Sequence, residues 1–264
     1  MNATKMWVGW IGLCLFASCF SGCEVARNRA EAHDYVRHAL EELQRGDYEG
    51  CVYLSSKALA RSPELGEAYL LRAYAEMELK NLSNALLDVE TALRIRPEST
   101  QLLLARAMVH RKFGNLPKAL EDADQAVALE ATLDTIAVRL DLRGRSGDAA
   151  GVSEDLRQLT ELGPEDAGCL NARAWSMMLY VDESLRDPEE ILDLAERAVT
   201  ASQREDPAVL DTLACALADV GQMDEALMTV REALELGLPA PNLAEVERHL
   251  LAFEAGEDWR MTQE

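Results

Sequence analysis

The side chains able to do chemistry are scattered through this sequence. Its four histidines, His33, His38, His110 and His249, include no pair at the i, i+4 spacing that sets two imidazoles on one helix face as a metal site needs. No HExxH, P-loop, nucleophile elbow or dinucleotide fingerprint occurs. Three of the six cysteines, Cys14, Cys19 and Cys23, lie in or just after an apolar leader; Cys51, Cys169 and Cys215 form no CxxC pair and no metal-ligand spacing. Each of these last three falls in a helical pattern where a small apolar residue would serve, and is read as a buried free thiol. The expectation is a chain without catalytic residues, metal or cofactor.

Charge narrows the partners. Against 26 Lys+Arg stand 47 Asp+Glu, a formal net of −21. Nucleic-acid binding rests on neutralising phosphates with Lys and Arg, so nucleic acid is excluded as an expected partner. The carboxylates fall mainly on polar helix faces, where solvation is their ordinary fate. Abundant Ala, Leu, Glu and Arg with few aromatics and only 8 Pro favour an all-α fold.

The leader has its own logic. Lys5 gives a positive start, and Met6 to Phe20 is apolar apart from small breaks, a length that suits export and falls short of a membrane span. Its end, Phe20-Ser21-Gly22-Cys23, resembles the lipobox of bacterial lipoproteins, with Phe20 where Leu is usual and Phe16-Ala17-Ser18-Cys19 as a competing site. The resemblance implies a signal peptide over 1–22, lipidation of Cys23 and a short tether over 23–31. Glu24 stands where an Asp would imply inner-membrane retention, which favours the outer membrane, facing the periplasm.

The rest of the chain repeats. Pro63 and Pro97 lie 34 residues apart, each closing a block of one form, Ala58-Leu59-Ala60-Arg61-Ser62-Pro63 and Ala92-Leu93-Arg94-Ile95-Arg96-Pro97. Turn signals recur at Gly46-Asp47, Lys80-Asn81, Gly114-Asn115, Gly147-Asp148 and Gly221-Gln222, where glycine ends a helix in a left-handed conformation. Small residues recur at Ala39, Ala73, Ala107, Ala174 and Ala214, and again at Ala58, Ala92, Ala126 and Ala233. This pattern resembles the tetratricopeptide (TPR) family. The resemblance implies a right-handed α-solenoid of about six helix pairs, at 32–65, 66–99, 100–132, 133–166, 167–206 and 207–240, with a capping helix and tail over 241–264. Pro164 comes 67 residues after Pro97, so the third or fourth unit has lost a residue, and Leu159 takes an alanine slot.

A single helix pair cannot bury its own apolar face, so neighbours stack and leave a concave groove lined by first helices. In this family alternate turns of those helices supply the lining, which here gives Tyr74, Met77, Met108, Arg111, Lys112, Asn171, Trp175 and Met178. Met, Trp and Tyr offer adaptable apolar contact, and the adjacent Arg111 and Lys112 could take a carboxylate. The pairs Arg72-Ala73, Arg106-Ala107 and Arg173-Ala174 are assigned to structure, with the arginine stem packed and its head at solvent or a neighbouring carboxylate. The expected role is a membrane-anchored scaffold that binds a protein or peptide. A self-associating envelope subunit and, if the leader is spurious, a soluble co-chaperone stand as alternatives.

Overall fold

The computed structural model describes residues 26–262, so the leader and Cys23 lie outside the described residues. Among these the chain is all-α. The helices are α1 (26–45), α2 (Tyr48–Arg61), α3 (Gly66–Glu78), α4 (Leu82–Ile95), α5 (Thr100–Lys112), α6 (Leu116–Leu129), α7 (Leu133–Ser146), α8 (Ala149–Leu162), α9 (Ala167–Tyr180), α10 (Pro188–Ala201), α11 (Pro207–Asp219), α12 (Met223–Leu236) and α13 (Ala240–Ala255), followed by a 3₁₀ turn at Trp259–Thr262. The first twelve are six successive pairs. Residues 26–31, expected in a tether, are already helical; Ala26, Ala30 and Ala32 favour it, and Arg27 pairs with Glu31 one turn on at 3.8 Å.

The turns carry the repeat. Gly46, Gly114, Gly147 and Gly221 all have φ between 75° and 80°, the left-handed region a Cβ disfavours. The next residue then caps the second helix: Asp47 accepts from Gly50 N, Asn115 from Lys118 N and Asp148 from Gly151 N. Lys80 sits in the same turn with φ 62°, so the second pair keeps the conformation without the glycine. The missing residue falls between α6 and α7, where 130–132 replace the four-residue links 62–65 and 96–99. A capping box between Thr132 and Thr135 starts α7 there.

The small slots let helices approach. Ala39, Ala73, Ala107, Ala174 and Ala214 are fully buried, as are Ala58, Ala92, Ala126, Ala198 and Ala233. The fourth pair is the exception: Leu140 and Leu159 take both slots and pack together with Ile136.

The chain divides into two compact units, the first ending at Ile95 and the second running from Arg96 onward. In the first unit α2 packs on α3 and α3 on α4, with Ala39, Cys51 and Ala75 in one apolar cluster. In the second, each first helix also touches the next first helix, α5 on α7, α7 on α9 and α9 on α11. That stacking of first helices is what builds a groove wall. The core gathers mainly at the C-terminal end, where α9 to α13 bury Met178, Leu194, Leu210, Val230, Phe253 and Trp259 together.

An ion pair repeats inside the pairs. Arg72, Arg106 and Arg139 each grip a carboxylate 16 residues on, respectively Asp88, Asp122 and Asp155. In each case the guanidinium donates through both Nε and Nη2, at 2.7–2.8 Å to Asp88, 2.6–3.0 Å to Asp122 and 2.5–3.3 Å to Asp155. Such two-point pairing fixes geometry as well as charge. Of the arginines assigned to structure, Arg72 and Arg106 therefore tie the first helix of a pair to the second, and Arg139, which has no alanine after it, does the same in the fourth pair.

Candidate groove on the second unit

Three first helices, α5, α7 and α9, present one cleft of about 320 Å³. Its apolar walls come from Met108 on α5, Val138 and Leu142 on α7 and Trp175 on α9. Its polar centre is Asp141. The Asp141 carboxylate accepts from Arg111 Nη1 at 3.1 Å, from Arg145 Nε at 2.9 Å and from the Tyr180 hydroxyl. Burial, then the adjacent Asp141 charge, pushes the Tyr180 phenol well above its ordinary pKa, so the ring stays a neutral donor. One carboxylate against two guanidinium groups leaves this centre net positive in a strongly acidic chain.

Local packing explains how Tyr180 reaches Asp141. A Cβ added to Gly144 would lie 2.2 Å from Tyr180 Cγ, so the ring rests directly on the α7 backbone. Glycine within a helix costs up to about 1 kcal/mol relative to alanine, and in this last turn of α7 the close approach accounts for it.

The eight sequence-derived contacts divide. Met108, Arg111 and Trp175 line the cleft together. Asn171 lines a second hollow of about 210 Å³ on the other side of Trp175, with Asp211, Asn242 and Glu245. Lys112 is exposed at the end of α5, and Tyr74 is half-buried on α3. Met77 and Met178 are corrections: they are 2% and 0% exposed and belong to the core. Each follows a small-slot alanine, Ala73 or Ala174, by one turn, so it shares the inward face. Arg111, likewise one turn past Ala107, instead reaches the cleft, where it takes the carboxylate of Asp141 within the chain.

Asp141, Arg145 and Tyr180 were not legible as site residues. Asp141 and Tyr180 are 39 residues apart and meet only because α7 packs on α9. Gly144, inside an otherwise helical stretch, was the available signal.

A buried trio elsewhere, Asp211, Cys215 and His249, has the residue types of a nucleophilic relay without its geometry. Both Asp211 and Cys215 meet the same ring nitrogen, His249 Nδ1, whereas a relay needs the nucleophile and the carboxylate on opposite nitrogens. Burial also pushes the Cys215 thiol far up. The remaining cysteines of the described residues, Cys51 and Cys169, are buried free thiols that burial raises to about 11.

The helix pairs, their turns and their stacked first helices define a TPR-type repeat fold. No protein-family model matches the sequence, and no curated protein does. Among solved structures, the APC/C hetero-tetramer Cut9-Hcn1 contains a chain similar over 84% of this one and 42% of its own length, at 17% identity and a TM-score of 0.61. Human IFIT1, solved as a dimer with m7Gppp-AAAA, matches over 81% of this chain and 52% of its own, at 15% identity and a TM-score of 0.59. TTC0263, a thermophilic TPR protein from Thermus thermophilus, matches over 85% and 99% at 16% identity and a TM-score of 0.48. The chain thus spans about half or less of the first two. At such identities the likeness is one of fold.

Proposed function

We propose that this chain is a non-enzymatic protein-interaction scaffold that takes a peptide or helix into the α5–α7–α9 cleft. The observation that carries the reading is the cleft's composition: an apolar wall of Met108, Val138 and Trp175 around Arg111 and Asp141, whose carboxylate also takes Arg145 from outside the lining. An indole ring and a thioether adapt to apolar side chains, and the part-exposed Arg111 can share its guanidinium with a ligand carboxylate. The favoured ligand therefore sets an acidic group among apolar side chains.

Membrane attachment is part of the proposal and rests on the sequence of residues 1–23. Among the described residues no helix is long and apolar enough to cross a membrane. Lipidated at Cys23, the scaffold would act at the bacterial envelope, on the periplasmic side of the outer membrane, with residues 26–31 of the expected tether already helical.

Two measurements test these parts separately. Peptides with a central Glu between apolar residues, titrated by fluorescence anisotropy, should bind more tightly than their Lys counterparts, and Arg111→Glu should reverse the preference. Equal binding of both peptides by folded wild type, or no effect of Trp175→Ala, would remove the cleft from the function. Intact mass and membrane fractionation of wild type against Cys23→Ser test the anchor; an unmodified, soluble wild type would sink it.

A further inference from the structure

The buried trio occupies a telling row. Asp211 and Cys215 are the fifth and ninth residues of α11, positions that hold Ala137 and Asp141 in α7 and Asn171 and Trp175 in α9, the groove-lining row. At α11 that row is covered by α13, which supplies His249. His249 Nδ1 lies 2.9 and 3.0 Å from the two Asp211 oxygens and 3.7 Å from Cys215 Sγ, and all three residues are buried. One atom from each of the three falls within 4.8 Å of the others.

We propose that Asp211, Cys215 and His249 bind a divalent transition-metal ion of the zinc class, which fastens α13 to α11. Thiolate and imidazole donors suit zinc and disfavour the hard cations calcium and magnesium. With ligand bonds of 2.0–2.3 Å, a tetrahedral centre sets its donor atoms roughly 3.4–3.6 Å apart. The sulfur–nitrogen spacing of 3.7 Å is within about 0.2 Å of that. The Asp211–His249 spacing is that of a hydrogen bond, and must open by about half an ångström as the ion replaces the shared proton.

A hydrogen-bonded His–Asp core pair would explain two of the residues but leaves the thiol aimed at the same nitrogen without a purpose. The two anionic donors, thiolate and carboxylate, neutralise a divalent charge. For the fourth position, Glu245 lies one turn before His249 on α13 and lines the same 210 Å³ hollow as Asp211, which also offers a route in from solvent. Rings of Trp175, Phe253 and Trp259, with centroids 5.5–6.5 Å from the His249 ring, form an apolar wall around the site. On loading, the Cys215 thiol releases its proton to solvent as the Sγ–metal bond forms, and the imidazole proton passes to Nε2. No oxidation state changes.

The test uses the full chain stripped with a chelator and titrated with Zn²⁺ against a chromogenic competitor, then with Co²⁺ as an optical probe. The expected result is one tight equivalent, a tetrahedral cobalt spectrum with a thiolate-to-cobalt charge-transfer band, and a higher unfolding midpoint with zinc. Cys215→Ala should abolish that band and weaken zinc binding at least tenfold, whereas Cys51→Ala should leave both unchanged. Because His249 is fully buried and its variants are expected to fold poorly, the wild-type cobalt spectrum is the deciding measurement. Substoichiometric uptake, an octahedral spectrum without the band, or a band that survives Cys215→Ala in a folded chain would each overturn the proposal.

Discussion

Three successive helix pairs and the last one fill equivalent interior positions with opposite chemistry. The seventh residue of the first helix is Arg72, Arg106 or Arg139, and the seventh of the second is Asp88, Asp122 or Asp155. In α11 and α12 those places hold Leu213 and Thr229, both buried, and the polar link moves to Asp211 and His249, which joins α11 to the cap instead. The fifth pair is intermediate, with Arg173 in α9 and the buried Leu194 in α10. An inner pair must hold its own two helices in register for the next pair to stack. The last pair has an end to close, so its polar groups serve the closing helix.

The largest expected effect follows from the most buried of the three ion pairs. Arg139 is 9% and Asp155 0% exposed, and Arg143 adds a second guanidinium at 2.8 Å. Asp155→Ala strands these cations, with only Gln158 and the more distant Asp124 as replacements for Arg139, and should cost about 3–5 kcal/mol in urea unfolding. Arg72 is 23% exposed, so Asp88→Ala in the first unit should cost less, about 2 kcal/mol. Equal losses would show that burial does not rank these pairs. Restoring stability with Arg139→Met and Asp155→Leu together, the chemistry of the last pair, would show that the ion pair supplies register more than energy.

Much of the repeated framework was legible because it is periodic. The prolines, the Gly-Asx turns and the alanine slots recur at the right spacing, and the Arg–Asp spacing of 16 recurs too. That last signal survives the deletion in 130–132, since both partners lie beyond it. The groove and the cap were less legible. Met77 and Met178 hold the position of Arg111, one turn past the small-slot alanine, yet their apolar side chains go to the core while its guanidinium reaches Asp141 at the cleft. Asp141 with Tyr180 and Asp211 with His249 are single pairings 39 and 38 residues apart, which no repeat announces. On the capping helix Leu251 is 63% exposed, because Val246, Phe253 and the returning Trp259 cover the core.

Gly144 tests where the comparison applies inside the groove. In an exposed helix Gly→Ala gains about 1 kcal/mol from propensity. At Gly144 the new methyl would overlap the Tyr180 ring, so Gly144→Ala should destabilise by about 1–3 kcal/mol and turn the phenol away from Asp141. Thermal unfolding gives the sign directly, and the Tyr180 near-ultraviolet signal reports the ring. A stabilised variant with unchanged ring environment would mean that the helix shifts freely, leaving the groove wall soft.

The smallest effect concerns the one turn that keeps the repeat's shape without its residue. Lys80 holds a left-handed φ of 62° where four other turns use glycine. A left-handed non-glycine residue carries a strain of about 1–2 kcal/mol, offset in part by the about 0.5–1 kcal/mol that glycine loses in chain entropy on folding. Lys80→Gly should therefore stabilise the chain by about 0.5–1 kcal/mol, read as a higher urea midpoint at unchanged slope. Lys80 also stands between Asn81 and Glu76, whose side chains bond at 2.8 Å, so the gain depends on that turn staying closed. A loss of stability would mean that the lysine side chain supplies more than its backbone strain removes, and that this pair departs from the repeat by selection of a contact rather than by tolerance of a strained turn.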